Sequence, residues 1–195
     1  MDGVSNCIGS VLLKPATSTT DADLAAVMET NLGTSFSILR AAVKAMTRAG
    51  AGGGSIVLCS SAVARHGLPN HEAIAAAKAA VMGLTLSAAA TCASHSASHS
   101  LLSLVSLIFQ IPPPDAPQNV RVNAVSPGLT RTPMTARITG NEAALKASTE
   151  MHALKRIGEP GDVARAIAFL LDPANSFITG QNLGVDGGLG CLKPR

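Results

Sequence analysis

Between Ser60 and Lys78 the chain places a serine pair, a loop with two histidines and a helix-prone run with one lysine, SSAVARHGLPNHEAIAAAK. A hydroxyl at Ser61 suits a carbonyl oxygen. A lysine one helical turn beyond position 74 shares that position's face, where its charge would lower the pKa of a neighbouring proton donor. Position 74 itself is Ile74, and the chain contains no tyrosine. His71 and Glu72 lie nearby, and His71 is an alternative donor. Its simpler reading is a solvated or capping group at a helix start. Asn31, in ETNLG, falls between two apolar helical runs, as a cap or as a buried polar group with a task.

The elements that must hold these residues alternate in type. Val4 to Ile8 reads as the end of a buried strand with Gly9 as its turn. Thr20, Asp21 and Asp23 signal a helix start, followed by Leu24, Val27 and Met28 at helical spacing. A second helix places Leu32, Phe36, Leu39, Val43 and Met46 on one face. Ser55 to Ser60 is short, continuous and apolar, the mark of a buried parallel strand. His71 to Ala90 reads as an Ala-rich helix packed on most sides. Val120 to Val125 is a further strand, leading into Ser126-Pro127-Gly128. A helix-prone stretch (133–155), a Pro-initiated helix from Pro160 to about Leu171 and a last strand, Ile178 to Val185, complete the order. Strands alternating with helices predict a parallel sheet covered on both faces. The glycine run at 50–54 lies after a helix and before a strand, the reverse of a phosphate-binding loop, and reads as a turn.

Composition narrows the function. The chain has 195 residues, 47% of them hydrophobic, enough for one domain. A net charge of +3 and the absence of Trp and Tyr leave no stacking platform for nucleic acid. Cys7, Cys59, Cys92 and Cys191 form no C-x-x-C pair and read as thiols in a reducing compartment. No uninterrupted apolar run reaches the roughly 20 residues of a membrane span, and no secretory signal opens the chain. The location is left open, with the cytoplasm as the default. Residues 92–116 differ from the rest: a Ser/His/Ala tract, an apolar run and a proline stop, expected to be a disordered low-complexity insertion. His95 and His99 have metal-ligand spacing, but composition explains them, and no metal site is expected.

The motifs together are those of a known family. Asn6-Cys7-Ile8-Gly9 sits where it has N-N-A-G, and Asn31 matches its catalytic asparagine. Ser61 precedes position 74 by its serine-to-tyrosine spacing, and Lys78 completes Y-x-x-x-K. Pro127-Gly128 with Thr132 matches P-G-x-x-x-T beside the nicotinamide, and ITGQNLGVDGG resembles its closing strand. Over residues 1–91 and 117–190 the chain resembles a classical short-chain dehydrogenase/reductase of the 3-oxoacyl-(acyl carrier protein) reductase-like branch. The resemblance implies a single domain over 1–195, α/β in class. The expected fold is a partial Rossmann-like doubly wound parallel sheet lacking the family's first three strands and their glycine-rich cofactor loop.

By this resemblance Ser61, Lys78 and Asn31 are catalytic, with Ile74 at the tyrosine position. Asn6, Gly9, Lys78, Pro127, Gly128, Thr130 and Thr132 are the cofactor-binding residues. The family passes hydride between NAD or NADP and a carbonyl/alcohol pair while tyrosine moves the proton, and its asparagine positions a relay water. Without that tyrosine and the cofactor loop the chain is expected to be an inactive form, its own NAD(P) binding in doubt. Leu68, Met134 and Met151 suit either an apolar substrate pocket or plain packing. Helices 32–49 and 71–91 are expected to pair in a homo- or hetero-oligomer, with no nucleic-acid or membrane partner. The alternatives are a non-catalytic partner of a full-length relative and an unstable splice or gene-model fragment. The Ser/Leu/Phe-rich run ending at Phe109-Gln110 has the composition of a translated intron end. Transcripts lacking residues 92–115 as the main species would support that origin.

Overall fold

A computed structural model of the chain describes residues 2–48, 52–93 and 119–192. Four parallel strands form one sheet in the order β1-β2-β3-β4: β1 Gly3–Asn6, β2 Gly54–Cys59, β3 Val120–Pro127 and β4 Asn182–Val185. Between them run α1 (Asp21–Met28), α2 (Thr34–Met46), α3 (Glu72–Ala93), α4 (Ala136–Thr139), α5 (Glu142–Met151) and α6 (Pro160–Leu171). This is the α/β, Rossmann-like architecture that the alternating pattern predicts.

Strand alternation builds a core on each face of the sheet. Ile56, Leu58, Val122 and Ala124 face α2 and α3, where they meet Leu39, Met46, Val81 and Ala89. Val57 and Val125 face the other way, against Val163, Ile167 and Leu170 of α6. Arg121, at the start of β3, closes the end of α6. Its guanidinium donates to the carbonyls of Leu170 (2.8 Å), Leu171 (3.4 Å) and Asp172 (3.0 Å), and also to Ile178 (3.2 Å). The first three are carbonyls of the kind a helix leaves unpaired at its C-terminus.

Several expectations need correcting. Phe36 is 51% exposed, with the Arg40 guanidinium 5.8 Å from its ring centre, so the buried face of α2 runs through Leu39 and Met46 without it. The last strand is only Asn182–Val185. Residues 178–181 reach β3 through a mixture of backbone bonds, Gly180 N–H to Val122 O and Ala124 N–H to Gln181 O, and side chains, Thr179 Oγ1 accepting from Val122 N–H and Asn123 Oδ1 from Gln181 N–H. Helix α3 runs to Ala93, and Cys92 is buried beside Val81 and Ala89. Residues 92 and 93 thus belong to α3; the rest of 92–116, with His95, His99, Phe109 and Gln110, lies outside the described residues. Packing of α3 is one-sided: Ile74, Ala77, Lys78, Val81 and Thr85 are buried, while Ala76, Ala79, Gly83, Leu86 and Ala90 are exposed. Helix α3 is also long and apolar enough to span a membrane by length and composition alone, a test that a core helix packed on a sheet passes equally. Among the described residues no group of three or more His, Cys, Asp or Glu could hold a metal ion.

Candidate active site

At the carboxyl ends of β2 and β3, where open α/β sheets take their ligands, lies a cavity of about 590 Å³. Ser61, Ile74 and Lys78 all line it, with Gly9 from the β1 turn and Pro127, Gly128, Thr130 and Thr132 from the β3 turn. Leu68, Met134 and Met151 line it as well, and its walls are mainly apolar.

Helix α3 delivers Ile74 and Lys78 one turn apart on its buried face. Lys78 is 7% exposed, and its Nζ donates to Cys59 O at 2.9 Å. Burial lowers the pKa of this ammonium, opposed by the neighbouring thiols of Cys59 and Cys7. One of its three N–H donors is used, and the others remain for a ligand. The serine pair divides its work. Ser60 Oγ donates to the backbone carbonyl of Lys78 at 2.8 Å, pinning α3 to the end of β2. Ser61 Oγ has only a long contact from Val63 N–H, 3.4 Å, and faces the cavity. His71 is on the cavity wall, its Nδ1 2.7 Å from Pro69 O.

Asn31 and Asn6 sit behind the cavity. Residues Glu29–Gly33 form a π-turn, and this widened turn directs Asn31 inward, where it is fully buried. Asn31 Oδ1 accepts from Ser10 N–H (3.2 Å), and its Nδ2 donates to Ser10 Oγ (3.0 Å) and Val27 O (2.9 Å). Both ends of the amide are thus committed to holding the β1 turn. A Cβ on Gly9 would lie 2.9 Å from Asn31 Oδ1 and 3.3 Å from Lys78 Nζ, so only glycine fits between them. Asn6 Oδ1 accepts from Ile8 N–H at 3.1 Å, and Nδ2 donates to Ser35 Oγ at 3.1 Å, fastening the same turn to α2.

On the other wall Thr130 Oγ1 donates to Gly128 O (3.2 Å), and Thr135 Oγ1 donates to Thr130 O (2.6 Å) while accepting from Thr132 N–H (3.0 Å). Sequence reasoning missed His152, which is 2% exposed and lines the cavity against Gly128. Its Nδ1 lies 2.6 Å from Ser148 O, which fixes the Nδ1–H tautomer and leaves Nε2 a buried acceptor without a partner. A lone histidine in MHALKR carries no motif that would have marked it. Also missed were Cys7 and Cys59, both on the cavity wall.

The chain's residues 1–98 and 115–190 match the family model described as enoyl-(acyl carrier protein) reductase. A 3-oxoacyl-[acyl-carrier-protein] reductase of Thermotoga maritima is 35% identical over 167 residues, 86% of this chain and 57% of the relative. The chain belongs to the classical short-chain dehydrogenase/reductase family. A solved short-chain dehydrogenase/reductase from Mycobacterium ulcerans superposes with a TM-score of 0.77 at 30% identity, over 100% of this chain and 62% of that one. A 4-hydroxyisoleucine dehydrogenase complexed with NADH gives 0.78 at 27% identity, over 98% and 69%. This short-chain dehydrogenase/reductase chain spans about three-fifths of the curated relatives it matches, 62% of one and 57% of another.

The residues present fit the nicotinamide end of the cofactor. Gly9 and Gly128 leave backbone bare at the two walls, Lys78 has free donors beside Gly9, and His152 Nε2 is an unmatched acceptor beside Gly128. A carboxamide N–H and ribose hydroxyls are groups of the matching kind. Among the described residues, no strand–glycine-loop–helix unit offers N–H groups to a pyrophosphate.

Proposed function

We propose that the chain carries the nicotinamide and substrate region of an NAD(P)-dependent oxidoreductase acting on a carbonyl/alcohol pair, and that as it stands it does not catalyse the reaction. The observation behind this reading is Ile74, an apolar side chain on the cavity wall one turn from Lys78, in a chain with no tyrosine. The bound cofactor would supply or accept the hydride. Ser61 Oγ would hold the carbonyl oxygen, and Lys78 would bind the ribose and place positive charge beside position 74. A proton must reach that oxygen, and isoleucine has none to give. General acid catalysis contributes roughly 10²–10⁴-fold, so its loss alone suppresses turnover. Leu68, Met134 and Met151 would form the apolar wall against the substrate.

The test compares reduction of a simple ketone by NADH and NADPH in the wild type and in Ile74→Tyr. The wild type should stay at background with either cofactor, and Ile74→Tyr should rise above it only at cofactor concentrations that fill the nicotinamide end. Wild-type turnover above background would count against the proposal.

Pairing of copies through helices 32–49 and 71–91 belongs to the same proposal. The exposed faces of α2 and α3, with Phe36 51% and Leu86 59% exposed, support it. Light scattering of the full chain should report a dimer or larger assembly, and a strict monomer at high concentration would count against pairing with itself.

A further inference from the structure

The ends of β1 and β2 bring two thiols together at the floor of the cavity. The parallel register pairs Asn6 with Leu58, so the next residues, Cys7 and Cys59, are cross-strand neighbours. Adjacent strands stand about 4.8 Å apart, inside the roughly 4.4–6.8 Å between α-carbons that a disulfide spans. Paired residues of parallel strands point to the same face, and both thiols line the cavity; Cys59 Sγ itself contacts its neighbour's carbonyl, Ser60 O, at 3.7 Å. Access differs between them: Cys7 is exposed, and Cys59 is half-buried beside Val57 and the α6 face. An accessible thiol with a shielded partner is the arrangement of an attacking and a resolving cysteine.

We propose that Cys7 and Cys59 form a redox site in which hydrogen peroxide oxidises Cys7 and Cys59 then closes a cross-strand disulfide. The Cys7 thiolate sulfur attacks one peroxide oxygen and the O–O bond breaks. Cys7 becomes a sulfenic acid, and the departing hydroxide takes a proton to leave as water. The Cys59 sulfur then loses its proton and attacks the Cys7 sulfur. The S–O bond breaks, and the hydroxide released leaves with that proton as a second water. Two thiols have lost two electrons and two protons, and the peroxide has gained them.

The electrostatics agree with these roles. The Cys59 thiol beside it, helped by the Lys78 charge and opposed by burial, lowers the Cys7 thiol to about 6. The same contact, with burial, raises Cys59. These directions make Cys7 the more acidic of the two thiols. The disulfide would close directly beneath Lys78, whose Nζ rests on Cys59 O. None of this depends on carbonyl turnover.

The test is a peptide map of the reduced full chain after stoichiometric hydrogen peroxide near neutral pH. Trypsin should release peptides 1–40 and 49–65 joined with loss of two hydrogens, and a dithiol reductant should separate them. Before oxidation, Cys7 should alkylate about tenfold faster than the exposed Cys191. Cys59→Ser should stop at a Cys7 sulfenic acid that dimedone traps, and Cys7→Ser should leave Cys59 unoxidised. The wild-type map decides alone if a variant fails to fold. Cys7 alkylating no faster than Cys191, or oxidation that links Cys7 elsewhere or not at all, would overturn the proposal.

Discussion

His152 lies so close to Gly128 that a Cβ at position 128 would sit 2.6 Å from its Nε2. The glycine of the β3 turn thus answers to a histidine behind it as well as to the cavity in front. Gly128→Ala should lower stability by about 1–3 kcal/mol, the usual cost of overpacking. Pairing it with His152→Ala should recover part of the loss, since the two residues touch and their effects should not add. Urea unfolding of the two single variants and the double variant measures this.

Arg121 carries a load that its position in a strand does not suggest. It donates to four carbonyls around the end of α6, while Ser55 Oγ donates to one of them, Leu170 O. Arg121→Met should cost about 2–3 kcal/mol, on the scale of hydrogen bonds from a charged group. Arg121→Lys should recover little, because an ammonium lacks the planar fork that reaches several carbonyls at once. Thermal unfolding of both variants checks the order.

Asn31 is the second structural polar group of the site. Replacing it by Ala would leave Ser10 N–H, Ser10 Oγ and Val27 O without their partner. The expected loss is about 1–3 kcal/mol, with faster hydrogen exchange at Ser10. An unchanged Ser10 amide would show that the turn after β1 is held by other contacts.

The acid limb of stability should follow Asp162. Hydrogen bonding to Arg156, the Glu159 N–H and the arginine charges hold its carboxyl at about 2, against an ordinary 3.8. A depressed carboxyl pKa stabilises the fold once pH exceeds the unfolded value, and that contribution fades as pH falls through the folded one. Asp162→Asn should therefore flatten the dependence between about pH 4 and 2, read from unfolding midpoints across that range.

What the sequence disclosed depended on distance along the chain. β2 and α6 were legible because their signals are local, an unbroken apolar run and a proline at a helix start. Ser61, Ile74 and Lys78 were legible because one loop and one helix hold them. The start of the last strand was not, because Gly180 (φ +70°) interrupts it and residues 178–181 reach β3 through Thr179 and Asn123 side chains as well as backbone. Phe36 fitted the apolar period of α2, yet its ring is half exposed, with the Arg40 guanidinium over it. His152 beside Gly128, and Cys7 beside Cys59, come from strand register and loop packing, which no spacing encodes.

The central claim is that the cavity around Ser61, Ile74 and Lys78 takes the nicotinamide end of the cofactor. Titrating nicotinamide mononucleotide into methyl-labelled chain, followed by NMR, tests it most directly. The methyls of Ile74, Thr130, Met134 and Met151 should shift along one saturable curve, Leu86 on the far side of α3 should stay still, and Lys78→Met should weaken the curve. Absence of saturable shifts at those methyls, or a curve that Lys78→Met leaves unchanged, would contradict the account.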